Sequence, residues 1–185
     1  MGELQAALAS RTPALSDLGG GILLGAGRAA CDEQLLERAR VTHVLNAADD
    51  VPRAAATAQL TYRCLGVADF GADVGISRVF EEAAAFVRSA LREDGRVLIH
   101  CANGSNRSPT VAIAVHMILF DWTLAAAWEH VSSQRTVHPL RDNRRELLAF
   151  ELARRGVNSM EEGDGGTLVV LNNCQDERAT SRNDV

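Results

Sequence analysis

Lysine is absent from this chain of 185 residues, and all nineteen of its basic residues are arginine. The formal net charge at pH 7 is −5, so the basic excess that general nucleic-acid-binding proteins normally carry is also missing. No apolar run approaches the ~20 consecutive residues that a membrane-spanning helix needs. From these absences we expect neither nucleic acid nor a membrane among the partners of the protein.

Cysteine is scarce as well. The four cysteines are too few for a disulfide framework in a chain of this length, and no C-x-x-C pair indicates a structural zinc site. The first residues, MGELQAALAS, lack the basic segment of a secretory signal and carry alanine where a myristoylation signal has serine or threonine. We therefore expect free thiols, no structural zinc site, and a reducing compartment: the cytoplasm, with the nucleus left open.

Hydrophobic patterning predicts strands alternating with helices. Apolar and β-branched runs indicate strands at 22–24, 41–48, 61–67 and 96–100. Apolar residues at helical spacing indicate helices at 31–40, 78–92, 109–120, 124–133 and 142–155. Such alternation is typical of an α/β domain, and we predict a central mixed, mostly parallel sheet flanked by helices.

The composition divides the chain into an N-terminal arm (1–14), a folded domain (15–156) and a C-terminal tail (157–185). The tail is rich in glycine and acids and has too little apolar surface for a core, so we expect it to be partly flexible. Only TLVVL, 167–171, is strand-like there, and it could pair with the domain edge or with a partner. We expect that removing the residues after Gly156 leaves the function of the domain largely intact.

The segment HCANGSNRSPT, residues 100–110, joins the carboxyl end of a predicted buried strand to the start of an apolar helix. Ligands of open α/β sheets bind at such strand ends, and a helix N-terminus attracts anions. Arg107 offers a planar fork for two phosphate oxygens. The intervening residues are small or tolerate left-handed backbone, so their N–H groups can turn inward: Ala102, Asn103, Gly104, Ser105 and Asn106. We predict a phosphate-binding loop at 101–107, the phosphate loop.

The same positive field favours the thiolate form of Cys101, which is the nucleophilic form of cysteine. Ser108 can donate a hydrogen bond to that sulfur, and Ser108 with Pro109 is also a good N-cap and first helical residue. The alternative, a buried and inert thiol, is adopted for the other cysteines, Cys31, Cys64 and Cys174. For Cys101, strand, glycine, arginine, serine and helix coincide, which favours a nucleophile.

The stretch VLIHCANGSNRSPTVAIAVHM resembles the signature of the cysteine-dependent protein phosphatases, and most of all their dual-specificity branch. The resemblance extends to THVLNAA (42–48), LGV (65–67), the helix from Phe80 to Phe86, and Arg135 to Pro139, so that it covers residues 15–155. It implies a catalytic domain at 15–156 that hydrolyses phosphotyrosine and phosphoserine or phosphothreonine through a phosphocysteine. It implies no metal or cofactor, and phosphorylated proteins as substrates.

The resemblance also implies roles for individual residues. Cys101 would be the nucleophile, while Arg107 and the N–H groups of the phosphate loop would hold the phosphate oxygens. The general acid would lie on GVADFGADVG (66–75), where Asp69, 32 residues before Cys101, is favoured and Asp73, 28 residues before it, is the alternative.

Two polar residues flank this machinery. In the family the histidine at the position of His100 supports the loop through hydrogen bonds without transferring protons. Asn46 could brace the loop in the same way, and an ordinary polar residue at a strand end is nearly as good an interpretation.

Two other functions remain as alternatives. A phosphoprotein-binding scaffold with the same fold and no turnover is kept open by the unsettled acid and by Asn106, where many relatives carry a smaller residue. Rhodanese or arsenate reductase is disfavoured, since no second cysteine is placed to resolve an adduct.

The phosphate loop has no basic residue besides Arg107, which argues against phosphoinositides as substrates. The sequence does not indicate an oligomeric state.

Overall fold

The computed structural model describes residues 15–68 and 75–171, and a five-stranded sheet forms its centre. The strands are β1 (Leu15–Asp17), β2 (Ile22–Ala26), β3 (His43–Ala48), β4 (Thr61–Val67) and β5 (Val97–Cys101). Their spatial order is β1-β2-β5-β3-β4. All neighbouring pairs are parallel except β1 and β2, which are antiparallel. The predicted mixed, mostly parallel sheet is therefore confirmed.

Strand β5 lies in the middle of the sheet. It pairs with β2 from Ile22 opposite Val97 to Ala26 opposite Cys101, and with β3 on its other side. All five of its residues are buried, which explains why the sequence here is a continuous apolar run. Cys101 is the last residue of this strand, so the fold brings it to the carboxyl edge of the sheet.

Helices cover both faces of the sheet. They are α1 (Gly27–Ala30), α2 (Glu33–Arg38), α3 (Phe80–Arg92), α4 (Arg107–Leu119), α5 (Leu124–Gln134) and α6 (Arg141–Arg155), and single 3₁₀ turns lie at Ala55–Thr57, Ile76–Val79 and Asp164–Gly166. On β2, Leu23 packs with α1 and α2, whereas its neighbour Leu24 packs with the larger cluster that contains α3 to α6. The alternation follows from the period of two along a strand.

Helix α4 is the central helix of the larger layer. Every residue from Arg107 to Met117 is buried, and the helix packs against the sheet and against α3, α5 and α6. A helix enclosed on all sides needs apolar residues all round, which accounts for the near-continuous apolar sequence VAIAV.

Residues beyond α6 continue to pack on the domain. Strands β6 (Met160–Glu162) and β7 (Leu168–Val170) form an antiparallel hairpin, so TLVVL pairs with its own chain. Ser159 and Met160 are buried, and the backbone N–H and the hydroxyl of Ser159 donate to the carboxyl of Glu151, itself fully buried on α6. The boundary at 157 stays a prediction. These contacts, however, show that the segment just after it belongs to the packed structure, while the effect of its removal on the function of the domain stays a prediction.

Candidate active site

The sulfur of Cys101 lies at the base of the phosphate loop with two donors directed at it. The backbone N–H of Gly104 donates to Sγ at 3.3 Å, and the hydroxyl of Ser108 donates to Sγ at 3.2 Å. The cysteine is only 2% exposed. Both groups are placed to donate hydrogen bonds to the sulfur during the reaction, and the role of Cys101 as the nucleophile stays a prediction.

Gly104 is required by the shape of the loop. Its φ is +70°, in the left-handed region, and a Cβ at this position would lie 2.6 Å from the carbonyl oxygen of Gly25 and 2.8 Å from a guanidinium nitrogen of Arg135. Because both approaches are closer than a Cβ tolerates, only glycine lets the loop fold back to present its N–H to the sulfur.

The helix after the loop begins at Arg107, with Asn106 in the N-cap position and no side-chain cap. The prediction that Ser108 caps the helix is therefore wrong. Ser108 lies inside the first turn, where its hydroxyl reaches the buried sulfur instead of the helix N–H groups. The side chain of Asn106 faces α6, since its oxygen accepts from the N–H of Leu140 and the amide of Asn143, both at 2.8 Å.

The guanidinium of Arg107 is buried, and one of its terminal nitrogens has three acceptors. Its Nη1 donates to Asp50 Oδ1 at 2.7 Å, to the carbonyl oxygen of Val67 at 3.1 Å and to Asp49 Oδ1 at 3.4 Å. The hydrogen bond from Arg107 holds the pKa of the Asp50 carboxyl below its usual range. Asp50 is thus suited to orient the arginine and poorly suited to donate a proton at neutral pH.

The sequence analysis assigned no role to Asp49 and Asp50, which directly follow the strand predicted at 41–48. A usable signal was present. The strand they follow, β3, is parallel to β5, and the carboxyl ends of parallel strands meet at one edge of the sheet. Acidic residues directly after β3 are therefore placed to reach a cation directly after β5.

His100 is buried beneath the site as a neutral imidazole. Burial lowers its pKa to about 4, and the adjacent Cys101 backbone opposes this shift only in part. Neither ring nitrogen reaches full hydrogen-bond geometry with any residue in the described ranges. The loop-supporting hydrogen bonds implied by the family resemblance are therefore not among its described contacts, although its neutrality agrees with a role that transfers no proton.

Asn46 acts on a different segment from the one expected. Its amide donates to the carbonyl oxygen of Val51 at 2.7 Å, and its oxygen accepts from the N–H of Ala48 at 3.0 Å. These bonds brace residues 48–51, which carry the aspartates that hold Arg107. The suggested direct support of the phosphate loop is wrong, and the support is indirect.

The segment from Arg135 to Pro139 fastens the outer side of the phosphate loop. The Nε of the buried Arg135 donates to the carbonyl oxygen of Gly104 at 2.8 Å. The backbone N–H of His138 donates to the carbonyl oxygen of Ser105 at 2.7 Å. Asn103 and Ser105 line a cavity on this side together with Ala102. All residues predicted for the loop are thus brought together around Cys101.

Both candidate acids, Asp69 and Asp73, lie outside the described residues, so the choice between them stays a prediction. The chain enters their segment beside the site, because Val67, two residues before Asp69, has its carbonyl oxygen on Arg107.

Cys31 and Cys64 are exposed free thiols. Within the two described ranges no cluster of three potential metal ligands occurs, and none of the helices found there is long and apolar enough to cross a bilayer.

Comparison with known proteins gives one consistent result. The sequence profile of the family described as "Dual specificity phosphatase, catalytic domain" matches residues 22–152. The chain is 36% identical over 117 residues to dual specificity protein phosphatase 1 of Arabidopsis thaliana. The aligned region covers 63% of this chain and 58% of that protein. It is 34% identical over 138 residues to dual specificity protein phosphatase 26 of Mus musculus, with coverage of 71% and 64%.

The solved structures agree with the sequence relatives. Human DUSP28 superposes with a TM-score of 0.73 at 29% identity, and the match covers 77% of this chain and 96% of that one. The chain spans about three fifths of the length of the curated relatives named above.

Proposed function

The chain belongs to the dual specificity phosphatase family, and from that premise we propose that it hydrolyses phosphotyrosine and phosphoserine or phosphothreonine in proteins. The observation that carries the proposal is the pair of donors on the Cys101 sulfur, 3.2 and 3.3 Å away, beside the buried guanidinium of Arg107. A nucleophile and an anion-binding fork at one strand end are the parts that phosphoryl transfer through a cysteine requires.

The reaction has two displacement steps. In the first, the Cys101 sulfur attacks phosphorus in line, the bond from phosphorus to the substrate oxygen breaks, and that oxygen takes a proton from the acid. In the second, water gives a proton to the same carboxylate and attacks phosphorus, the phosphorus–sulfur bond breaks, and inorganic phosphate leaves. Asp69 is the proposed acid and base, with Asp73 as the alternative.

The remaining groups stabilise charge. Arg107 and the N–H groups of the loop bind the equatorial oxygens, where negative charge is spread in the transition state. The Ser108 hydroxyl, already on the sulfur, stabilises the thiolate as it departs from phosphorus in the second step. Because this positive field comes from the chain itself, the proposed reaction needs no metal ion.

The test is turnover of an aryl phosphate and of phosphopeptides in the presence of a metal chelator. We expect metal-independent phosphate release that Cys101→Ser abolishes, whereas Cys64→Ser, a change to an exposed thiol, leaves it unaltered. Sensitivity to the chelator, or full activity in Cys101→Ser, would refute the proposal. Binding of phosphopeptides without single-turnover phosphate release would favour the scaffold instead.

The place of action is part of the same proposal. The exposed free thiols of Cys31 and Cys64 suit a reducing compartment, so we assign the protein to the cytoplasm, with the nucleus as the second site to examine. Fractionation of cells that express the tagged chain tests this assignment, and recovery from an oxidising compartment would contradict it.

A further inference from the structure

A groove of about 360 Å³ lies on the surface where α3 and α4 end, and we call it the distal groove. It is lined by Arg88, Leu91, Arg92, Leu119 and Phe120. Helix α4 runs from Arg107, beside the reacting sulfur, to Leu119, a length of roughly 18 Å at 1.5 Å per residue. A molecule bound in the distal groove therefore leaves the phosphate loop uncovered.

The floor of the distal groove is apolar and partly uncovered. Leu91 and Leu119 are half-buried, whereas Phe120 is 40% exposed. The Phe120 ring has aromatic neighbours beneath it, since the rings of His116 and Trp122 lie 5.4 and 5.5 Å away, centroid to centroid. The ring thus presents a supported apolar surface on which a large side chain of another molecule can pack.

The rim of the distal groove carries positive charge. Arg88 and Arg92 are exposed and lie four residues apart on α3, so the two charges are neighbours on one face of the helix and repel each other. Neither guanidinium has an ion-pair or hydrogen-bond partner within the part of the chain that the structure describes, and the exposed Glu93 and Asp94 that follow pair with neither. Two carboxylates spaced by one helical turn would relieve the repulsion and form charge-assisted hydrogen bonds.

The shape and charge of the molecule favour a protein segment in this groove over a lipid surface. A concave groove accepts an inserted side chain, whereas a flat bilayer surface is contacted by a protruding apolar face. The net charge of −5 also repels anionic lipid headgroups.

We propose that the distal groove docks an acidic amphipathic helix of a partner protein, in which two carboxylates one turn apart lie beside one large apolar side chain. The apolar side chain packs on Phe120, and the carboxylates pair with Arg88 and Arg92. No residue of the proposed active site takes part in this docking. The protein can therefore hold a partner at one end of the domain while the phosphate loop, at the other end, stays open to substrate.

The test is the binding of fluorescent, hydrocarbon-stapled helical peptides to the full chain, measured by anisotropy. Each peptide carries two glutamates four residues apart and leucine, phenylalanine or tryptophan three residues after the first glutamate, so that all three side chains share one face. We expect these peptides to bind, and we expect glutamine in place of both glutamates, or alanine in place of the apolar residue, to weaken binding about tenfold. Inorganic phosphate, the probe for the phosphate loop, should not displace the peptides.

The diagnostic protein combines Arg88→Gln with Arg92→Gln. Its matched control combines Arg38→Gln with Arg40→Gln, which makes the same change of charge at exposed positions at the end of α2 and just after it. The diagnostic protein should bind the acidic peptides about tenfold more weakly, and the control should bind them like the wild type. Both should keep the circular dichroism of the wild type and its turnover of an aryl phosphate.

Four results would overturn the proposal. They are failure of every acidic peptide to bind, displacement of the peptides by inorganic phosphate, an equal loss of binding in both double variants, and binding of phosphatidylserine vesicles in place of the peptides. Failure of the proposed function would show instead as absent turnover of the aryl phosphate by the wild type, and the peptide measurements would still decide whether the distal groove docks an acidic helix.

Discussion

Two buried imidazoles determine how the fold should respond to mild acid. Burial lowers the pKa of His100 and of His116 from 6.5 to about 4. The ring of His116, on α4, contacts the carbonyl oxygen of Ala112 at 2.7 Å and lies 5.0 Å, centroid to centroid, from the ring of His130. The positive charge of His130, when present, opposes protonation of His116 further.

The sign of the effect follows from the pH at which each state takes up protons. In the unfolded chain these histidines become protonated around pH 6.5, whereas in the folded chain they stay neutral until the pH falls to about 4. The stabilisation is therefore complete above pH 6.5 and is lost as the pH falls towards 4. Between pH 7 and 5.5 we expect a loss of about 1 kcal/mol for each histidine, or about 2 kcal/mol for the pair.

The assay is urea unfolding at these two pH values, followed by the fluorescence of Trp122 and Trp128. His116→Gln should halve the pH dependence of the free energy of unfolding, whatever it does to stability at pH 7. His138→Gln, at an exposed histidine, should leave the pH dependence as it is in the wild type. A wild-type change below about 0.5 kcal/mol, or an unaltered dependence in His116→Gln, would refute the reasoning.

Three further substitutions test the site and its support. Asp50→Asn removes the charge that lies 2.7 Å from Arg107, so kcat/KM for an aryl phosphate should fall about tenfold, whereas Asp49→Asn at 3.4 Å should lower it less; equal effects would contradict the assigned geometry. If Asp69 is the acid, Asp69→Ala should lower kcat by ~10²–10⁴ for poor leaving groups and far less for good ones, with the basic limb of the pH–rate profile lost. Asp73→Ala should cause neither the loss of kcat nor the change in the pH–rate profile. If Asp73→Ala causes both and Asp69→Ala causes neither, Asp73 is the general acid. Glu151→Ala leaves the buried N–H groups of Leu124 and Ser159 without their acceptor, so thermal unfolding should report a loss of about 2–5 kcal/mol; a loss below about 1 kcal/mol would contradict this account.

The elements that the sequence predicted best are those whose pattern is local. The strand at 61–67 was predicted with the bounds it has in the structure, because TYRCLGV contains aromatic, β-branched and apolar residues that favour strands. The junction from Cys101 to Arg107 was equally readable, since strand, loop and helix are contiguous there and each imposes its own residue types.

The features that were missed depend on contacts between segments far apart in the chain. Arg107 and Asp50 are separated by 57 residues, and no local pattern connects them. Glu151 lies within the helix predicted at 142–155, and the sequence analysis gave it no role. In the structure it is fully buried and accepts from the N–H of Leu124, at the N-terminus of α5, and from the N–H of Ser159. The role of Ser108 was open to two local interpretations, and only the position of the buried sulfur decides between them.

The enclosure of α4 has a consequence for how activity is lost on heating. Arg107 and Ser108 sit on the first turn of a helix whose residues are buried from 107 to 117, so they cannot leave their places by local fraying of the kind that frees exposed termini and loops. Amide hydrogens beyond the first turn of this helix should exchange mainly through global opening, and so among the slowest in the protein. Inactivation and loss of helical circular dichroism should accordingly share one midpoint temperature, without an interval in which a folded protein has a melted site.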